Sequence, residues 1–454
     1  MKVYFNQSIG AVKPMHAVNN GPVVPFKNAE RTAIRELHPF NSNLNEYKNA
    51  GIPFARTHDA SFYHRWGQEH VIDVYYIFPN FDADPEDPAN YDFTCTDAYV
   101  CGCAMAGTEV FYRLGHRIEH EIKKYGIHPP KDPRKWAVIC EHIVRHYTEG
   151  WANGFHYKMP YWEIWCEPDL HWGKPKSVSP TWSGTKEQYY ELYHVTATLL
   201  KERYPHLKIG GPGLSDNLEW AELFLAQLKA PLDFFSWHCY YSSTDEFVQR
   251  GRAIRELLDR YGFADTESIM DEWNYIRSWE MDDTVYRLSQ LGRVKSAAFE
   301  VATMCTGQAS PIDMLMYYDA RPNEYWNGLF DVQVIGRVLK GYYPFPMFNT
   351  LYRLGTCVKT ECAEEGGYIC AARNEDEAAV LLTHFNDDDS TECKTFSVDL
   401  SGFAGENGAE VEYYLLDETH DCELVGRNTY YGDRLISDLI LPNFTSYLLK
   451  IKKK

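Results

Sequence analysis

A chain of 454 residues, 44% hydrophobic and 24% charged, is long enough for a closed barrel of about 250 residues and a smaller second domain. Its formal net charge of −19 excludes a phosphate-backbone or anionic-membrane partner, since both need basic surface. No apolar run approaches the roughly 18 residues of a membrane span, and the opening Met-Lys-Val-Tyr-Phe-Asn-Gln-Ser lacks the apolar core of a signal peptide.

In chain order, Val3–Phe5 and Ser8–Val12 read as strands. Pro53–Asp59 reads as a strand ending in polar residues, with Arg56 a buried ion-pair partner beneath His58 and Asp59. The stretch Asp73–Asp97, rich in Asp, Pro, Tyr and Phe, is expected as a long loop over a barrel mouth, able to close over substrate. Glu109–Arg113 is a strand. Ala137–His146 has apolar residues at helical spacing, and Tyr161–Cys166 follows as a strand. Tyr189–Lys201 is helical, and Leu207–Gly211 is a strand broken by glycine and proline. Strand Leu232–Cys239, helix Phe247–Tyr261, strand Ser268–Met270, helix Arg293–Thr306 and strand Asp313–Tyr318 complete the alternation. Such alternation is the mark of a parallel α/β fold, and eight units close a (β/α)8 TIM barrel. Beyond about residue 345 the helical periods vanish. Short strands at Tyr368–Ala372, Ala378–His384, Lys394–Leu400, Glu410–Leu416 and Ser446–Ile451 point to a C-terminal β-sandwich. The expected division is barrel 1–345 and sandwich 346–454, with the first strand free to join the sandwich.

Two glutamates stand where barrel strands should end. Trp162-Glu163-Ile164-Trp165-Cys166-Glu167-Pro168-Asp169 places Glu167 last, and strand alternation puts Glu163, Trp165 and Glu167 on one face, with Trp165 walling the pocket. In Met270-Asp271-Glu272-Trp273-Asn274, Glu272 should face the mouth and Asp271 away. The competing reading of the second motif is a helix start capped by Asp271. Opposed carboxylates across a cleft are what glycoside hydrolysis requires. Aromatics make up 15% of the chain, which suits sugar stacking, although a large core accounts for most of them.

These motifs resemble those of the clan A glycoside hydrolases, most closely family 39, the β-xylosidases and α-L-iduronidases. Trp165-Cys166-Glu167-Pro168 matches the end of that family's fourth strand, and Glu272-Trp273-Asn274 the end of its seventh. Asp233–Tyr240, Ile209–Pro212 and Pro53–His58 match its sixth, fifth and second strands. The resemblance covers most of residues 1–340. It implies Glu167 as acid/base and Glu272 as nucleophile of a retaining exo-glycosidase. His238 and Tyr240 would orient Glu272, and His58, Asp59, Cys166, Trp165, Trp273 and Trp326 would line the sugar site. The family's Asn before the acid/base, which donates to the sugar 2-hydroxyl, is Cys166 here, a weak donor.

The expected substrate is a short oligosaccharide or glycoside, with pentosides (xyloside or arabinoside) first. The alternatives are a galactosidase or uronidase of the same clan, with Arg113, Arg277 or Arg321 meeting a sugar carboxylate, and a non-catalytic carbohydrate-binding protein. No cofactor and no metal is expected. His116/His120 and His142/His146 lack a zinc-protease motif, and Cys101/Cys103 lack a second thiol pair. No nucleic acid or membrane partner is expected, and a homo-oligomer is compatible with the chain. The 12 cysteines sit mostly in apolar strings, as expected for reduced thiols in the cytoplasm.

Overall fold

The computed structural model describes residues 1–24, 41–58, 70–120, 122–174 and 179–454. Strand β1 (Lys2–Ala11) is followed by eight strands that close into a parallel barrel. They are β2 (Ala17–Asn19), β3 (Phe54–Arg56), β4 (Glu109–Leu114), β5 (Tyr161–Ile164), β6 (Lys208–Leu214), β7 (Phe234–Tyr241), β8 (Glu267–Tyr275) and β9 (Met314–Tyr317). Successive side chains of a strand point to opposite faces. Phe111, Tyr161, Phe234, Ile269, Met314 and Met316 therefore plug the barrel interior. Their neighbours Tyr112, Trp162, Phe235, Met270 and Leu315 pack outward beneath the helices. The side helices begin where sequence caps them. Asp132 accepts from the first turn of the helix Pro133–Glu149, and Thr185 and Gln188 form a reciprocal capping box on the helix Lys186–Arg203.

The remaining strands are β10 (Thr356–Glu361), β11 (Gly367–Arg373), β12 (Glu377–His384), β13 (Lys394–Ser401), β14 (Ala409–Leu416), β15 (Asp421–Tyr430), β16 (Arg434–Leu441) and β17 (Thr445–Lys453). They join β1 in the order β15-β14-β17-β12-β11-β10-β1-β13-β16. β1 runs antiparallel to β10 and parallel to β13, which inserts the chain's first ten residues into the middle of the C-terminal layer. Val3, Phe5, Val380, Phe396, Val411 and Leu449 fill its interior. The molecule is thus a (β/α)8 barrel with a C-terminal β-sandwich. No described helix is long and apolar enough to cross a membrane.

Two local expectations are corrected. The segment Asp73–Asp97 holds the short helix Val74–Ile77 and a turn of 3-10 helix at Pro88–Asn90. Its first residues are tied to the end of β4, where Val74 N–H meets Gly115 O and Tyr75 stacks on His116, and the rest lies along the helix Pro133–Glu149. Lys135 Nζ donates to Ala83 O, Glu86 faces His142, and Tyr91 packs edge-on against Trp151. Phe93 stacks on His146 of that helix. The second glutamate motif is strand throughout, with no helix start at Asp271.

Candidate active site

A polar layer lies directly above the apolar plug. Asn19, Arg56, Glu163, Ser236 and Asp271 come from five different strands, and all are buried. Arg56 organises them. Its Nε donates to Glu163 Oε2 at 2.7 Å, and its Nη1 donates to Asn19 Oδ1 at 3.0 Å and to Glu272 Oε1 at 2.7 Å. Its Nη2 lies 3.3 Å from Cys166 Sγ. Ser236 Oγ donates to the other oxygen of Glu163 at 2.6 Å. Burial alone would raise the Glu163 carboxyl, but Arg56 and the hydrogen bonds from Asp271 and Ser236 hold it below the usual range. Asp271 lies 3.0 Å from Arg56 Nε, yet burial beside Glu163 raises it well above the usual carboxyl range, so it keeps its proton.

Glu272 sits one level higher. Tyr240 Oη donates to Glu272 Oε2 at 2.7 Å, His238 Nδ1 lies 3.3 Å from the same oxygen, and His58 Nε2 lies 3.4 Å from Oε1. Burial would raise this carboxyl, but His238, His58 and Arg56, with the Tyr240 hydroxyl, outweigh it and hold it down to about 2. Burial likewise disfavours a charged His238, and the facing Glu272 reverses that, so the ring is held as imidazolium. Its Nδ1–H donates to Glu167 Oε1 at 2.9 Å. One oxygen of Glu167, one of Glu272 and a ring nitrogen of His238 all lie within 4.8 Å of one another.

The backbone explains how the two glutamates come together. β5 ends at Ile164, and Trp165 and Glu167 both have left-handed backbone, with φ 72° and 49°. The turn is tied by Trp165 N–H to Leu114 O and Glu167 N–H to Gly213 O, each 2.8 Å. Thr181 Oγ1 donates to Glu167 O at 2.6 Å. Strand alternation therefore stops at Ile164. Trp165 turns outward against Trp182 and Trp136 instead of walling the pocket with Glu163 and Glu167. In β8 the expectation that Asp271 faces away also fails. Against β7, Trp237 pairs with Met270 but His238 with Glu272, so Asp271 is an extra residue. This β-bulge turns both acids inward, a device common at barrel rims.

Of the other residues singled out from the sequence, His58, Cys166, His238, Tyr240 and Glu272 converge in this cluster. Trp326 reaches its edge, with its ring 5.5 Å from both Tyr240 and Tyr318. Trp273 points the other way, into the core with Phe299 and Tyr317. Asp59 lies outside the described residues. Arg113 is bound to Asp73 and to the carbonyl of His58, Arg277 to Asp387 of the sandwich, and Arg321 faces Asp319. Asn19, Glu163, Ser236 and Asp271 were not foreseen as site residues. Their one sequence signal is polarity at an inward position of an apolar strand.

The family model for glycosyl hydrolases family 39 matches residues 80–355. The chain belongs to this family. Within family 39 terms, it is 29% identical over 324 residues to a β-xylosidase of Geobacillus stearothermophilus. That match covers 63% of this chain and 62% of the relative, so under two thirds of the relative's length is spanned. Among solved structures, a glucosidase from Croceicoccus marinus superposes with TM-score 0.77 at 21% identity, over 100% of this chain and 98% of that one. A monomeric β-xylosidase from Caulobacter crescentus gives TM-score 0.70 at 16% identity, over 100% and 99%. These two likenesses establish the fold.

Proposed function

We propose that the protein is a retaining exo-glycosidase that removes single sugars from short oligosaccharides, with β-xylosides its first substrate class. The observation that carries this is the approach of Glu167 and Glu272 within 4.8 Å through His238, with Glu272 held ionised. Retaining enzymes place their two carboxyls about 5–5.5 Å apart, whereas inverting ones leave about 6.5–9.5 Å for a water. In this reading Glu272 attacks the anomeric carbon while Glu167 protonates the departing oxygen. Glu167 then takes a proton from the water that hydrolyses the glycosyl ester. Tyr240 and His238 hold the Glu272 carboxylate in line, and Trp326 offers a ring face beside them. The name of the Geobacillus relative supports a xyloside. Of the three arginines named for a uronide carboxylate, Arg113 and Arg277 are engaged by Asp73 and Asp387, and Arg321 lies 3.7 Å from Asp319, which weighs against a uronide. Twelve free cysteines, seven of them buried, support a reducing compartment such as the cytoplasm.

A panel of aryl glycosides tests the reading: xyloside, arabinoside, galactoside, glucoside and glucuronide in both anomers. The expected result is turnover of a xyloside, loss of about 10³-fold or more in Glu272→Ala, and partial rescue by azide, which replaces the missing nucleophile. Sugar binding without turnover of any panel member or of xylo-oligosaccharides would overturn it in favour of a carbohydrate-binding protein.

A further inference from the structure

The cluster around Glu272 contains a second grouping of side chains, with metal-ligand chemistry. His58 Nε2, Cys166 Sγ and Glu272 Oε1 come from the ends of three barrel strands and lie within 4.8 Å of one another. We propose that these three side chains form a site for a thiophilic divalent cation, zinc first, seated on Glu272 so that metal and glycoside exclude each other.

The ligand atoms stand near tetrahedral spacing, one pair of them slightly wide. With bonds of about 2.0–2.1 Å to nitrogen and oxygen and 2.3 Å to sulfur, tetrahedral ligands stand ~3.4 Å (N to O) and ~3.5 Å (S to O) apart. His58 Nε2 is 3.4 Å from Glu272 Oε1. Cys166 Sγ is 4.0 Å from the same oxygen and needs to close by about 0.5 Å. A thiolate, an imidazole and a carboxylate give the mixed soft and borderline donor set that zinc takes and that magnesium or calcium does not. Three protein ligands leave the fourth position to water.

The surroundings supply orienting groups. Arg56 donates to both Glu272 Oε1 and Cys166 Sγ from below, each of which retains further lone pairs. The other ring nitrogen of His58, Nδ1, faces the Tyr318 hydroxyl at 3.5 Å, the kind of outer contact that fixes a metal-binding tautomer. The Arg56 and His238 charges oppose a cation, but Arg56 is matched by Glu163 as well as Glu272, and His238 by Glu167 as well as Glu272. Zinc uptake displaces the protons of the Cys166 thiol and of His58 to solvent. The second group with metal-ligand spacing among the described residues, Glu167, His238 and Glu272, has no sulfur.

Metal binding itself is independent of the glycosidase reading; exclusion of the sugar rests on Glu272 being its nucleophile. Cobalt(II) is the direct probe, since thiolate ligation gives it a near-ultraviolet charge-transfer band. The expected result is one cobalt per chain with that band, displaced by zinc but not by magnesium. It is lost in Cys166→Ser and kept in Cys393→Ser, which removes an exposed thiol. No band, or a band that survives Cys166→Ser, overturns the site. If Cys166→Ser does not fold, alkylation of wild-type Cys166 by iodoacetamide replaces it, read by mass spectrometry. Zinc should slow that labelling at least tenfold, and unchanged labelling overturns the proposal. A Cys166-dependent band together with glycoside turnover insensitive to saturating zinc overturns the exclusion. Turnover inhibited by zinc competitively with substrate, and restored by a chelator, supports it.

Discussion

A guanidinium carries five donors in a fixed fork, and Arg56 directs them to Glu163, Asn19, Glu272 and Cys166. With no exposed surface it cannot exchange any of these for water. Arg56→Met keeps the volume but leaves buried carboxylates without their cation, which costs about 3–5 kcal/mol. Denaturant titration should read that loss, and adding Glu163→Gln should recover part of it because one uncompensated charge disappears. A cost under about 1 kcal/mol would show that the layer relaxes without its cation. The same guanidinium governs Cys166. Burial would raise this thiol, but Arg56, His238 and His58 pull it down to about 7 from its ordinary 9.0. Between those values the folded protein has released a proton that the unfolded chain retains, so stability rises with pH. The contribution is complete above about pH 9 and is lost as pH falls through about 7; a shift of this size is worth roughly 2–3 kcal/mol. Urea midpoints of wild type minus Cys166→Ser should climb across that window, and a flat difference would mean that the thiol stays protonated.

At the scale of elements, the left-handed turn after β5 positions Glu167, and one hydroxyl ties it from farther along the same connection, before the helix Lys186–Arg203. Thr181→Val removes the bond to the Glu167 carbonyl while Trp165 Nε1 keeps its bond to Thr181 O. The expected cost is about 1 kcal/mol in stability and a roughly tenfold fall in kcat with KM little changed. Thr181→Ser should restore both. A destabilised Thr181→Val with unchanged kcat would make the contact merely structural. This turn also shows the limit of the sequence. The apolar runs before Glu167 and Glu272 end in plain view, and the two glutamates stand out for that reason. The turn itself depends on Leu114, Gly213 and Thr181, and the bulge at Asp271 on how β8 registers against β7. No local pattern carries such non-local pairing, so alternation mistook Trp165 for a pocket wall and Asp271 for an outward residue. Arg56 was legible as a buried cation because a charge in an apolar strand needs a partner, but its partners lie on strands far along the chain. Gly213 is legible only afterwards: it has φ 62°, and a Cβ there would stand 3.3 Å from both the Cys166 backbone and Glu163.

Across the whole molecule, the barrel and the sandwich share one buried seam. Cys370, Ala379, Leu381, Phe385 and Leu448 of the C-terminal layer belong to the same buried cluster as Phe299, Ala302, Phe345 and Phe348. Polar ties reinforce that seam. Arg277 and Lys295 both meet Asp387, Lys295 also meets Asp389, and Tyr275, on the strand that carries Glu272, donates to Asp387. β1 adds a topological tie, because it sits between β10 and β13 while its continuation becomes the first barrel strand. The two layers should therefore unfold as one unit. Phe385 packs on Phe299 with ring centroids 5.3 Å apart, and Phe385→Ala should cost about 3–5 kcal/mol. Because the seam is shared, that cost should appear as one shifted transition in calorimetry, with calorimetric and van't Hoff enthalpies still in agreement. A fragment ending at residue 345 would leave the seam face of the helix Val294–Gln308 exposed and β1 without partners, and should be recovered as aggregate. Two separable transitions, with only the smaller one moved by Phe385→Ala, would show that the barrel holds itself together. The seam would then be a contact between finished domains, and the Glu272 strand would owe nothing to Asp387.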